Sequence, residues 1–391
     1  MTAPAETASL RLLVQEVNQV ETQIRWINDA NGDFSYKVTR GQLVGAASEV
    51  RSRLQIYLRN YILSRSDPAT AGALRALVGA GRDLFDSLFA GGNDAAAQAQ
   101  DQYRELDAAG PFKLMVKVDP TLTFPWSLVV PDAVNPRGDF DPDALDGVFW
   151  CLRHDLSVST FGAASAKRRP GPGEFRTMAV IHRRIYDSAA ASLEADIEKH
   201  WLKTLLPPSN DHVIFGSDQF VSALAGVSGE RGVLLRFAYL LGHASGERFQ
   251  FADGDEMSAA KLALRLGKTQ AASPQHTILF LNGCETAAEG DRFTFCEMMG
   301  QFDVAGLIGT EVKVPDRFAF RFALAFLHLV LCEGWTLRAA LVKLRRAHLP
   351  LSLAYSLYAA DGLSVQPGAF DAAESAALDR GDNYSKGRVK C

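Results

Sequence analysis

The chain has 391 residues, 47% hydrophobic and 22% charged, which leaves room for two or three conventional domains or one enlarged one and excludes global disorder. A formal net charge of -4 provides no electrostatic footprint for nucleic acid. Five widely spaced cysteines (Cys151, Cys284, Cys296, Cys332, Cys391) without a Cys-x-x-Cys pair fit neither a disulfide framework nor a thiolate zinc site. A reducing, cytoplasmic setting is expected, with no metal and no cofactor.

Met1 to Thr7 lacks the basic segment and apolar core of a secretion signal. The apolar spacing over Leu10 to Val20 predicts an amphipathic helix. Gln23 to Asn28 and Phe34 to Thr39, two β-prone runs around Asn31-Gly32, predict a hairpin. Leu43 to Leu63 carries Leu43, Val50, Leu54, Leu58, Tyr61 and Ile62 at helical spacing and stops before Asp67-Pro68. Ala69 to Phe89 and Asn93 to Ala109 read as two further helices. Phe112 to Val118 alternates apolar with Lys, as in a half-buried strand. Pro131 to Pro142 reads as a loop, Val148 to Ser159 as another strand segment, and Lys167 to Gly173 as an exposed linker.

From there the pattern is βαβα. Strands are expected at Thr177 to Ile181, His212 to Phe215, Val233 to Leu241, Thr277 to Leu281 and Val304 to Ile308. Helices are expected at Ser188 to Leu206, Asp218 to Ala225, Ser258 to Leu266, Phe293 to Phe302, Asp316 to Cys332 and Leu337 to Ala347. Near-continuous apolar strands alternating with helices define an α/β fold, a mostly parallel sheet with helices on both faces. The apolar stretch Phe318 to Cys332 is shorter than the roughly 20 residues that cross a bilayer. Arg321 and His328 also interrupt it. It reads as a core helix, and no membrane association is expected.

Two of these strands end in reactive side chains. Gly242-His243-Ala244 follows one and Asn282-Gly283-Cys284-Glu285 the other, with His243 and Cys284 41 positions apart, room for one helical crossover. Adjacent parallel strands would deliver an imidazole and a thiol to one rim, where open α/β sheets collect their chemistry. The imidazole and the positive end of the following helix would lower the thiol pKa, and the amides of Ala244 and Cys284 are placed as oxyanion donors. Asn282 has two readings, a wall of the substrate pocket or a turn-capping amide. Glu285 is either an acid behind the site or a solvated turn charge. Cys296, Cys332 and Trp126 read as core. Asp253 to Glu256 lacks calcium-loop spacing and reads as a turn.

Leu241-Gly242-His243-Ala244 and Phe280-Leu281-Asn282-Gly283-Cys284-Glu285-Thr286-Ala287 resemble the His and Cys motifs of the CHAT family, caspase-like peptidases related to caspases and separases. Phe124-Pro125-Trp126-Ser127-Leu128 is similar to the family's Pro-Trp-Glu-Leu segment. Gly306 to Thr310 with Val314-Pro315-Asp316 is similar to its strand and helix start after the Cys. Two positions depart from the pattern. Ala244 stands where Gly usually follows the His, and Asn282-Gly283 precedes the Cys where Ser-Ala is commoner.

The resemblance implies a caspase-like domain over residues 111–360 that hydrolyses peptide bonds through His243 and Cys284. It further implies a latent protease switched on by a partner protein, with roles in bacterial defence or regulated cell death. Residues 1–110 would be a hairpin-plus-helix regulatory or docking region without tetratricopeptide repeats, and residues 361–391 a flexible tail. Two rivals stay open: a catalytically inactive caspase-like binding module, and an acyl-transfer enzyme using the same pair.

Overall fold

The computed structural model describes residues 8–28, 32–135, 137–138, 140–141, 145–160, 175–181, 183–205, 213–214, 217–224, 234–245, 248–251, 255–268, 277–283, 286–287, 294–302 and 304–365. The expected linker at 167–173 and residues 366–391 of the tail expected over 361–391 lie outside them, whereas residues 361–365 are described and pair with the start of the helix at Leu337.

The chain opens with a strand, not a helix. β1 (Ser9–Glu16) buries Leu10, Leu12 and Val14 at every second position. It pairs antiparallel with β2 (Glu21–Asn28) and parallel with β4 (Lys113–Val118). Leu10, Leu13, Val14 and Val17 also satisfy a helical period, so spacing alone misleads here. Val17 and Val20 are 44% and 66% exposed and join no buried stripe. A hairpin ladder with β2 and a ladder with the remote β4 override the helical pattern. β2 and β3 (Gly32–Thr39) form the expected hairpin.

α1 (Arg40–Leu63) and α2 (Pro68–Leu88) follow as predicted. Asp67 accepts from the Ala69 amide and Pro68 occupies the first turn, which starts α2 cleanly. Of the apolar residues assigned to α1, Ile62 is exposed and the rest are buried. α3 (Asp94–Ala109) is capped by the Asn93 side chain. The stretch read as one strand over Val148 to Ser159 is a single helical turn, α4 (Trp150–Arg153), followed by β5 (Asp155–Thr160). The first sheet runs β3-β2-β1-β4-β5. Backbone pairing therefore crosses the boundary expected near residue 110, because β4 and β5 complete a sheet begun by the N-terminal hairpin.

The second sheet takes its strands from β6 (Phe175–Ile181), β7 (Val213–Ile214), β8 (Leu234–Leu241), β12 (Ile278–Asn282), β13 (Gly306–Thr310) and β14 (Tyr355–Ala359). Its order is β14-β13-β12-β8-β6-β7, parallel throughout except for the antiparallel β14 edge. β12 and β13 are buried on both faces. Leu279, Leu281 and Leu307 face a core that extends to Leu10 and Trp26 of the first sheet, whereas Ile278, Phe280 and Ile308 face a second core. Helices cover both sides. α7 (Ser217–Leu224), α8 (Ala259–Lys268) and α9 (Phe295–Gln301) contribute to the first core. α5 (Arg183–Ala191), α6 (Asp196–Leu205), α10 (Asp316–Leu327) and α11 (Leu337–Ala347) contribute to the second. This is the α/β fold read from the alternation.

Three details differ from the sequence reading. The single helix expected over Ser188 to Leu206 is broken into α5 and α6. Ser192 turns back at the break, its Oγ donating to the Ala189 carbonyl at 2.6 Å. A small antiparallel sheet of β9 (Ala244–Ser245), β10 (Arg248–Gln250) and β11 (Glu256–Ser258) was not expected; of the segment read as a turn, Asp255 and Glu256 are described and lead into β11. The stretch expected as one helix over Asp316 to Cys332 is α10 continued by a π-helical turn at His328–Cys332. Phe320, Phe322 and Phe326 of α10 are fully buried, each stabilising by about 1.5–3 kcal/mol relative to exposure. Arg321 finds the Ser192 carbonyl at 2.9 Å and Glu198 at 3.5 Å. Among the described residues no helix is long and apolar enough to cross a membrane.

Candidate active site

β8 and β12 are adjacent, parallel and in register from Ile278↔Phe237 to Asn282↔Leu241. Both stop at the same level, so Gly242 and Gly283 come next, side by side. The two turns are in van der Waals contact. A Cβ on Gly283 would lie 2.6 Å from the Ala244 Cβ and 2.9 Å from the Gly242 carbonyl oxygen. A Cβ on Gly242 would lie 2.7 Å from the Gln250 carbonyl oxygen and 2.8 Å from the Phe249 ring. Glycine is required at both positions by close approach rather than by unusual dihedrals.

His243 is exposed at this rim. Its carbonyl accepts from the Gln250 amide at 2.8 Å, which ties the turn to β10. That bond places Ala244 at the non-hydrogen-bonded position opposite Phe249. The Ala244 N–H is therefore directed away from β10, on the free side of an edge strand.

Cys284 and Glu285 lie outside the described residues; the chain on both sides of them is pinned. Thr286 Oγ1 donates to the Leu281 carbonyl at 2.7 Å and accepts from the Thr310 amide at 3.0 Å. Thr310 Oγ1 donates to the Gly283 carbonyl, and the Ala287 amide donates to the Thr310 carbonyl at 3.0 Å. Thr310 ends β13, so β13 supports the turn from one side as β8 does from the other. Gly309 makes the approach close, since a Cβ there would sit 2.9 Å from Thr286 Oγ1. These threonines were not singled out in the sequence. Their signal was faint: a Thr two residues after the Cys, and another ending the next strand.

Asn282 is a correction. The residue is 2% exposed and its amide is fully engaged in the interior. It donates to Tyr239 Oη at 3.1 Å and to the Ala319 carbonyl at 2.7 Å, and it accepts from Tyr355 Oη at 2.9 Å. The amide cross-links β12 to β8, α10 and β14, and is neither a pocket wall nor a turn cap. The helix expected around Phe293 to Phe302 is α9, which begins at Phe295 with its first turn closed by a Thr294–Glu297 capping box.

The other described thiols are suppressed. Burial pushes the thiols of Cys151 and Cys296 up. Burial and then Glu333 push Cys332 up to about 11. Trp126 is buried within the short turn Trp126–Leu128, as a packing anchor. No group of His, Cys, Asp and Glu among the described residues is arranged to hold a metal ion.

No protein-family model and no curated protein matches the chain. Solved structures do. A chain of the Saccharomyces cerevisiae separase–securin complex at 3.0 Å resolution matches with a TM-score of 0.50 and 9% identity, over 90% of this chain and 30% of that one. A second structure of that complex, at 2.6 Å, matches at TM-score 0.44 and 10% identity over the same shares. The chain thus spans about a third of the separase chain it matches. The fold is caspase-like, of the kind that separase carries.

Proposed function

We propose that the chain is a cysteine endopeptidase. His243 is the general base and then the general acid, and Cys284 is the nucleophile. The observation that carries this reading is the contact of Gly283, the residue before Cys284, with Gly242 and Ala244, the residues on either side of His243. Thiolate attack on the scissile carbonyl carbon forms a tetrahedral oxyanion, to which the amides of Ala244 and Cys284 donate. The His243 imidazolium protonates the leaving amine. The neutral imidazole left behind deprotonates the water that attacks the thioester, and returns that proton to the departing thiolate. Proton and leaving group are balanced without metal or cofactor.

Both departures from the CHAT pattern fit this reading. That pattern has Gly after the His and Ala before the Cys, whereas this chain has Ala244 and Gly283. Since a Cβ at 283 would sit 2.6 Å from the Ala244 Cβ, the contact holds one methyl group, and the two departures move that methyl from one turn to the other. Glu285 is an acid flanking the nucleophile. Latency until a partner protein acts is part of the proposal; the structure with the same fold is that of a complex with securin.

The test is alkylation by an electrophilic peptide probe. Cys284 is expected to label fastest and Cys151, Cys296 and Cys332 slowly, as befits thiols that burial holds protonated. His243→Ala slows labelling of Cys284, and Cys284→Ala abolishes cleavage while retaining substrate. Unchanged cleavage by Cys284→Ala at equal folded concentration removes the pair from the mechanism.

A further inference from the structure

We propose that Arg51 and Gln55 of α1 are positioning residues that hold the nucleophile turn in place through the segment following β13. This rests on the reading of Cys284 as the nucleophile. Arg51 and Gln55 lie one helical turn apart, on one face of α1. Both reach across to the end of β13. Arg51 Nε donates to Glu311 Oε2 at 2.8 Å, with the two side chains 11% and 0% exposed. The same guanidinium reaches the Thr123 carbonyl. Gln55 Oε1 accepts from the Lys313 amide at 2.8 Å. Residues 311 to 313 are thus gripped at two points by a helix from the first 110 residues of the chain.

The grip is one residue from the site. Glu311 follows Thr310, which bonds Gly283, Thr286 and Ala287 on both sides of Cys284. The Glu311 amide donates to the Ala354 carbonyl at 2.8 Å, so the backbone here has little slack. A carboxylate wholly out of water is held only by its cation. Moving α1 would strip Glu311 of that cation and free Thr310 to shift, taking the Gly283 carbonyl with it. The geometry makes α1 the route by which an event in the N-terminal region reaches the turn. An activator acting there need not touch the catalytic rim.

Hydrogen exchange of the full chain tests this without relying on peptidase activity. Arg51→Gln is expected to speed exchange of the Thr310 and Ala287 amides by about tenfold or more, whereas Arg51→Lys, which keeps a cation on Glu311, changes it less than threefold. Arg153→Gln breaks another buried pair, with Asp107 at 2.9 Å in the first sheet's layer. It is expected to lower the urea midpoint comparably while leaving those two amides unchanged. Should Arg51→Gln not fold, Gln55→Ala, which retains the ion pair, carries the comparison through the Lys313 and Thr310 amides. Unchanged exchange at Thr310 and Ala287 in a folded Arg51→Gln variant overturns the proposal, as does equal loosening by Arg153→Gln. Alkylation of Cys284 in the same samples separates the two claims. Loosened amides with no selective reactivity of Cys284, even in the parent chain, would retain the clamp and sink the peptidase reading.

Discussion

Replacing Gly283 with Ala is the most direct probe of how the two turns fit together. The new Cβ would lie 2.6 Å from the Ala244 Cβ and 2.9 Å from the Gly242 carbonyl oxygen, where ordinary contact begins near 3.4 Å. Neither obstacle is the tip of a flexible side chain, so the turns must part by about 0.8 Å. Overpacking of this kind costs about 1–3 kcal/mol of stability. A displacement approaching 1 Å between catalytic groups costs on the order of 10²-fold in rate. The two numbers predict a protein that still folds yet has lost most of its reactivity. Urea unfolding reads the first and Cys284 alkylation or peptide cleavage the second.

Ala244→Gly in the same chain removes the methyl that the new Cβ meets. The double variant should therefore recover most of the lost reactivity, the remainder reflecting the Gly242 carbonyl. Gly79→Ala is the control, because a Cβ there meets nothing within 4 Å in the middle of α2. It should raise stability by about 0.5–1 kcal/mol and leave reactivity alone. Full activity of Gly283→Ala at equal folded fraction would refute the contact, and failure of Ala244→Gly to rescue it would refute its partner.

Asn282→Ala removes the amide that bonds the buried hydroxyls of Tyr239 and Tyr355, while the Ala319 carbonyl keeps its bond within α10. At about 1–3 kcal/mol for each buried group left unsatisfied, a loss of several kcal/mol is expected by urea unfolding; a loss under about 1 kcal/mol would contradict the assigned role. Burial alone would raise the carboxyl of Asp107, but hydrogen bonds from His154 and Arg153 outweigh it and hold the group below its ordinary 3.8. The stabilisation from Asp107 is therefore complete above the unfolded value and fades as pH falls through the lower folded value. Asp107→Asn should be less stable than the parent chain at neutral pH, with the gap closing below about pH 4; a gap independent of pH in unfolding curves would show that the carboxylate charge is not involved.

What the sequence made legible is what local patterns control. β8, β12 and β13 stand where their apolar runs predicted, because strands buried on both faces need unbroken apolar character. α1 to α3 were marked by Asp67-Pro68, Asn93 and helical spacing. β1 was missed because its periodicity is ambiguous and one of its two partners, β4, lies about a hundred residues away. β14 was missed because Tyr355–Ala359 is short and earns its place only as the antiparallel edge against β13. His243 was legible as a residue just past the end of β8, where it is exposed; Cys284 lies outside the described residues. The role of Asn282 was not legible, since its partners lie 43 residues before it and 37 and 73 residues after it.

The same distinction bears on how the molecule divides. A boundary at residue 110 looks natural in composition, and the whole candidate rim lies beyond it. Yet β4 depends on β1 for one of its two ladders, and residues 311 to 313 depend on Arg51 and Gln55. Tyr358 of β14 reaches the Phe124 carbonyl at 2.9 Å, and Arg338 of α11 bridges Asp155 of β5 and Asp361. The two sheets are thus joined by hydrogen bonds and charges as well as by a shared core. A piece containing only the residues after 110 would keep the His243 and Cys284 turns in its sequence but lose the support beneath Thr310. The proposed regulation through the N-terminal region would use this construction: the helix that grips residues 311 to 313 is also the helix farthest in sequence from Cys284.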